Sequence, residues 1–246
     1  MKKMIDGKYL YCINEETQIH HFGDIGLFGK RTYAVSYKDI NAIVSNAPLK
    51  EMKPDIETLT SHQRVIEELR MHGTTLPARF GTMFKSDDSI KKMLEKSYKE
   101  LKSKILNLKD RDEFGLKIMI DPLDLNKLQL TSQDNPEIKK IKKEISSSGK
   151  GTAYFLKMKM DEAIRNETYK RIDQLSGQIH QELAKVAQQS CLLKSDFDQI
   201  ILNSAYLINR DDVTKFHKKL DDLKEKHERD GFIFHMSGPW APYSFC

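Results

Sequence analysis

The chain has 246 residues, of which 39% are hydrophobic, 31% charged and 9% aromatic, a balance that excludes collagenous, disulfide-framework and low-complexity classes. Its 41 basic and 36 acidic residues leave a net charge of +5, divided as 20 against 16 up to Asp112 and 21 against 20 beyond it, so neither part carries the basic surplus of a dedicated nucleic-acid binder. No run approaches the ~18 apolar residues of a membrane-spanning helix. Residues Met1 to Lys8 lack the apolar core of a secretory signal. Cys12, Cys191 and Cys246 are odd in number and far apart, the usage of reduced thiols in a cytoplasmic protein.

In chain order, Lys8 to Asn14, Arg31 to Ser36 and Asp39 to Ser45 are rich in aromatic and β-branched residues and are expected to be strands. Gly23, Gly26 and Gly29 between the first two form no GxGxxG and open no helix, so they are turn glycines rather than phosphate ligands. Asp55 to His72 places Ile56, Leu59, His62, Val65, Ile66 and Leu69 at helical steps, with Pro54 before and Gly73 after. Thr74 to Phe84 is broken by Pro77 and Gly81 and is expected to be an interrupted or edge strand. Ser86 to Leu108 is a lysine-rich amphipathic helix.

A charged stretch near Asp110 to Asp112 separates a second unit. It begins with a strand over Glu113 to Ile120, stopped by Asp121-Pro122, and continues into a polar region with a short helix near Pro136 to Ile145 and a mobile loop over Ser146 to Gly151. A long helix over Thr152 to Gln189, strands over Ser190 to Ser195 and Gln199 to Asn209, a helix over Asp211 to Arg229 and a strand over Phe232 to Met236 follow. The succession βαββαβ is the ferredoxin-like, split βαβ arrangement. The expectation is thus a two-domain α+β protein: a mixed α+β domain over residues 1–112, a ferredoxin-like domain over 113–237 and an aromatic and proline-rich C-terminal tail over 238–246.

Little in the chain points to chemistry. His20, His21, His62, His72, His180, His217, His227 and His235 form no HExxH or Cys/His cluster and are assigned ordinary surface or capping roles. There is no GxSxG, and Asp87-Asp88, Asp211-Asp212 and Asp221-Asp222 suit helix starts or solvated helix faces. Lys139, Lys140, Lys142 and Lys143 lack alternating aromatics and suit a solvated face. No catalytic residue, metal ligand or cofactor is expected.

Two segments stand out. One is Leu76 to Phe84, in which Arg79, Phe80, Met83 and Phe84 are candidates for a partner-binding surface. The other is the end of the chain, where Pro239, Trp240, Pro242, Tyr243 and Phe245 alternate proline with large aromatics; such a tail either packs back on its own protein or docks on a partner. Together, Gly7-Lys8-Tyr9-Leu10-Tyr11, His62-x-x-Val65-Ile66-Glu67, Leu76-Pro77-x-Arg79-Phe80-Gly81-Thr82 and Gly238-Pro239-Trp240-x-Pro242-Tyr243-Ser244-Phe245 resemble the GvpF/GvpL family of gas vesicle proteins.

The resemblance spans essentially the whole chain and implies a non-enzymatic, cytoplasmic, gas-vesicle-associated protein with an α+β domain, a modified ferredoxin-like domain and a C-terminal tail. It implies as partners the hydrophobic shell-forming protein and other accessory vesicle proteins; no nucleic acid is expected from the evenly divided charge, and no lipid membrane from the short apolar runs. The role is then to keep the shell protein soluble or to nucleate its assembly, since a surface built to face gas aggregates in water. The rival readings are a minor component retained in the finished shell and an RNA-binding ferredoxin-like module, the latter opposed by the absence of an RNP1 pattern.

Overall fold

The structure is a computed structural model and describes residues 6–15, 23–120, 135–195, 197, 199–227 and 230–246. The expectations for His20, His21 and the polar region after Ile120 up to Asp134 lie outside these residues. The fold is α+β with two sheets. By contacts the chain divides into two compact units, one of residues 1–113 with 238–246 and the other of residues 114–237.

The first unit contains β1 (Asp6–Glu15), β2 (Thr32–Tyr37), β3 (Ile40–Pro48), α1 (Ile56–His72), β4 (Thr75–Pro77), β5 (Met83–Phe84) and α2 (Asp87–Leu108). Its sheet has the order β2-β3-β1-β4, with β5 also paired to β1. Both helices start where local chemistry provides partners for their free N–H groups. The Asp55 carboxylate and Thr58 form a reciprocal cap on α1, and Ser86 and Ser89 form one on α2. Asp87 and Asp88 lie in the first turn of α2, where carboxylates favour the dipole.

Strand β1 organises the core. Leu10 opposes Val44 and Cys12 opposes Ile43, so Tyr11 is an extra, bulged residue. That bulge lets the chain neighbours Tyr11 and Cys12 both join the buried cluster of Tyr9, Leu27, Ile43, Val65, Ile66 and Leu69 against α1. Ala42 and Val44 alternate to the other face of the sheet and are fully buried; α2, with Ile90, Leu94, Ile105 and Leu108 buried, packs against β1, β2 and β3.

The second unit is built from β6 (Arg111–Ile120), which enters it from the first unit, α3 (Pro136–Ser146), α4 (Lys150–Ala184), β7 (Gln189–Leu192), β8 (Ile200–Asn209), α5 (Val213–His227) and β9 (Phe232–Trp240), whose last three residues belong to the first unit. The sheet order is β7-β8-β6-β9, so the first and fourth strands in sequence are neighbours and the first and third are paired, the interleaving of a split βαβ unit. Phe114, Leu116, Ile118 and Ile120 alternate along β6 into one core with Leu202, Tyr206 and Ile208. Ile172, Ile179 and Leu183 of α4 and Phe216, Leu220 and Leu223 of α5 close the same core, so both helices cover one face.

Several boundaries differ from the sequence expectation. Helix α4 ends at Ala184 rather than Gln189, because the Gln188 amide donates to the Leu207 carbonyl and the chain joins the sheet there. Expected as a loop, Ser146 to Gly151 is instead a three-residue connection, since the Ser147 and Ser148 hydroxyls donate to helix-end carbonyls at Glu144 and α4 already begins at Lys150. A 3-10 turn over Arg210–Asp212 precedes α5. Strand β9 runs past Met236 to Trp240, so the first residues of the expected tail, Gly238, Pro239 and Trp240, are strand.

Candidate functional site

The segment between β4 and β5 departs most from regular structure. Cys12 opposes Pro77 and Tyr9 opposes Met83. A step of three residues on β1 therefore faces a step of six on its partner, and the surplus is extruded as a loop over Ala78 to Thr82. Backbone hydrogen bonds pin both ends: the Ala78 amide donates to the Tyr11 carbonyl at 2.8 Å, and the Leu10 amide donates to the Thr82 carbonyl at 3.0 Å. Gly81 has φ +85°, in the left-handed region that glycine takes without a Cβ penalty. The Thr82 hydroxyl and amide both donate to the Arg79 carbonyl and close the turn.

Beneath this loop lies His62. Its Nε2 is 3.2 Å from the Ala78 carbonyl and its Nδ1 is 2.9 Å from the Tyr9 hydroxyl. A carbonyl only accepts, so Nε2 carries the proton and donates, and Nδ1 accepts from Tyr9. The Tyr9 oxygen in turn accepts from the Gly81 amide at 3.1 Å. Burial holds the imidazole neutral, lowering its pKa to about 4, and pushes the Tyr9 phenol up to about 12. Phe80 sits edge-on to both rings, and Tyr11 stacks on His62. The expectation of a surface or capping role therefore fails for His62, which is buried and anchors the loop. Both of its nitrogens are committed to protein groups, so it holds backbone rather than presenting a base.

Of the expected partner-binding residues, Arg79 at the loop tip is exposed, whereas Phe80, Met83 and Phe84 are half-buried. Phe80 and Met83 pack against the first unit's own core. The loop thus presents a cation and a backbone turn, with its apolar residues serving as the footing.

The tail belongs to the same unit. Ala241 is fully buried in the cluster of Tyr9, Tyr11 and Val65. Its amide donates to Glu67 Oε1 at 3.3 Å, and the Ser244 amide and hydroxyl each donate to Glu113 at 2.7 Å. Arg70 bridges Glu67 at 2.7 Å and Asp112 at 2.9 Å. Pro242 is buried, Trp240 and Phe245 are half-buried, and Pro239 and Tyr243 are exposed. Glu67 stands in one of the family motifs and Glu113 at the start of an expected strand, but nothing local to either marks it as an acceptor for the tail. Glu113 is buried, and that burial raises its pKa.

Cys12 is buried, Cys191 half-buried and Cys246 exposed, and none of the three forms a disulfide. Among the described residues no group of three or more His, Cys, Asp or Glu side chains is placed to hold a metal ion, and no helix is long and apolar enough to cross a membrane.

A family model described as gas vesicle synthesis protein GvpL/GvpF matches residues 7–246. Gas vesicle protein L1 of Halobacterium salinarum is 24% identical over 98% of this chain and 90% of its own length. Gas vesicle protein F of a Streptomyces species is 26% identical over 83% of each chain. The crystal structure of gas vesicle protein GvpF from an Anabaena species superposes with a TM-score of 0.84 at 22% identity over 98% of both chains. That of GvpF from Microcystis aeruginosa does so with a TM-score of 0.75 at 20% identity, over 97% of this chain and 98% of that one.

Proposed function

Because the chain belongs to the GvpL/GvpF family of gas vesicle synthesis proteins, we propose that it is a non-enzymatic assembly protein that binds the hydrophobic shell-forming gas vesicle protein and other accessory vesicle proteins. It keeps the shell protein soluble or nucleates its assembly, in the cytoplasm and in association with the vesicle. The observation that carries this reading is the family match from residue 7 to residue 246, which takes in both units and the tail. In the ferredoxin-like second unit and the pinned loop of the first, the side chains described above are spent on packing and on holding backbone, which suits a scaffold for protein contacts. We assign part of the partner surface to the 78–82 loop, where Arg79 projects and Phe80, Met83 and Phe84 give it a fixed, apolar base.

Co-expression with the shell protein tests the proposal. The soluble fraction of the shell protein should rise and the two should co-purify, and Arg79→Glu should weaken the association without changing thermal stability. An unchanged soluble fraction together with no co-purification would refute it.

A further inference from the structure

Helix α4 spans 35 residues, about 52 Å at 1.5 Å per residue, and its two halves are used differently. In the C-terminal half Thr168, Ile172, Ser176, Ile179 and Leu183 are buried. In the N-terminal half, the half-buried Ala153, Leu156, Met160 and Ala163 recur at three- and four-residue steps, on the side that α3 packs against with Ile138 and Ile141 buried. The other side bears Tyr154, Phe155 and Met158, which are 70%, 67% and 58% exposed. At 100° per residue these fall on one stripe with Glu162, Arg165 and Tyr169, and an open groove of about 590 Å³ runs over Phe155, Met158, Glu162 and Arg165. Exposed lysines border the stripe on both sides, Lys150 and Lys157 on one and Lys159 on the other, with a single exposed carboxylate, Asp161, beside Lys157. From Pro136 to Arg165, the last charged residue of the groove, the chain holds seven lysines and one arginine against four acidic residues, a net basic surplus.

We propose that this face of α4 docks an acidic amphipathic helix of a protein partner. The inference rests on reading the chain as a binder of other vesicle proteins and adds the surface and the chemistry of what it binds. A ridge of apolar side chains on the incoming helix fills the groove between turns, and its acidic flanks meet the lysine borders. Glu162 and Arg165 lie within the groove, where they pair with polar groups on an incoming helix. Those two charges oppose burial in acyl chains, and the Glu162 carboxylate repels a phosphate backbone, so a protein helix is favoured over a membrane or a nucleic acid.

The test uses the full chain and a labelled synthetic amphipathic helix of about 20 residues with glutamate flanks, beside a sequence-matched version with lysine flanks, read by fluorescence anisotropy. The acidic peptide should bind at least ~10-fold more tightly than the basic one. The Phe155→Ser/Met158→Ser variant and the Lys157→Glu/Lys159→Glu variant should each weaken it by about the same factor, and the charge-reversed protein should gain affinity for the basic peptide. All four positions are exposed, so circular dichroism should be unchanged in both variants.

Equal affinity for the two peptides, or no loss in either variant, would overturn the proposal. So would tighter binding to phosphatidylglycerol vesicles or to a uridine-rich RNA than to the acidic peptide, or self-association abolished by Phe155→Ser/Met158→Ser in a protein that takes no peptide. If peptide binding fails while the shell protein is still solubilised, the surface is wrong and the function stands. If the peptide binds while co-expression has no effect, the surface stands and the partner is not the shell protein.

Discussion

Lowering the pH from 7 to 4.5 should destabilise the first unit through one side chain, His62. Its pKa falls from an ordinary 6.5 to about 4 on folding, because burial penalises the imidazolium. Protonation also adds a proton to Nδ1, where the Tyr9 hydroxyl donates, so the hydrogen bond must be rebuilt. A histidine whose folded pKa is depressed takes up its proton in the unfolded chain first. Its contribution is complete above pH 6.5 and is lost as pH falls from 6.5 towards 4. A shift of this size amounts to about 3 kcal/mol at most, and with the residue only 4% exposed there is little solvent screening to reduce it.

The measurement is urea unfolding of the wild type and His62→Gln at several pH values between 7 and 4.5, followed through Trp240, the single tryptophan, which belongs to the first unit. Glu113, whose pKa burial raises, contributes the opposite slope, but it titrates in both proteins and cancels in the comparison. Tyr9 stays protonated throughout, being pushed up to about 12. The wild type should lose about 2 to 3 kcal/mol more than the variant over this range. Parallel pH profiles would refute the assignment of His62 as a buried neutral anchor.

Tyr9→Phe removes the donor to His62 and the acceptor for the Gly81 amide. It should cost about 1 to 3 kcal/mol and speed amide exchange at Gly81 in hydrogen-exchange measurements. Ser244→Ala removes one of two hydrogen bonds to Glu113 and should lower stability by about 1 kcal/mol in the same urea assay. A Cβ at Gly26 would lie 2.7 Å from the Lys30 carbonyl oxygen and 2.8 Å from the Tyr11 hydroxyl, whereas at Gly81 nothing lies within 4 Å and only φ +85° is strained. Gly81→Ala should therefore cost about 1 to 2 kcal/mol of backbone strain, and Gly26→Ala should exceed it in thermal melts. Phe216→Ala, in the core of the second unit between Phe114 and Tyr206, should cost about 3 to 5 kcal/mol by chemical denaturation.

Whatever depends on local periodicity was readable along the chain. The helical steps of α1, the amphipathic pattern of α2 and the strand over β6 are properties of neighbouring residues, and each element forms close to where the pattern places it, although Ile56 and Leu59 of the α1 pattern are exposed. The succession of strands and helices was enough to anticipate an α+β chain, because the period of burial differs between the two kinds of element. The aromatic tail and the Leu76 to Phe84 stretch could be singled out as unusual from composition alone.

What those segments touch was decided only by tertiary structure. The register change from Cys12–Pro77 to Tyr9–Met83 extrudes the 78–82 loop, and a register is a relation between strands that no single segment encodes. His62 resembles any helical histidine until Tyr9 and Ala78, 53 and 16 residues away in sequence, close over its two nitrogens. The same holds for Glu67 and Glu113, which accept hydrogen bonds from residues 174 and 131 positions away. Composition gave a net charge of +5 spread over 77 charged residues. Folding sets Lys150, Lys157 and Lys159 beside an exposed apolar face of α4, because a helix brings together residues three and four apart and α3 packs on its other side.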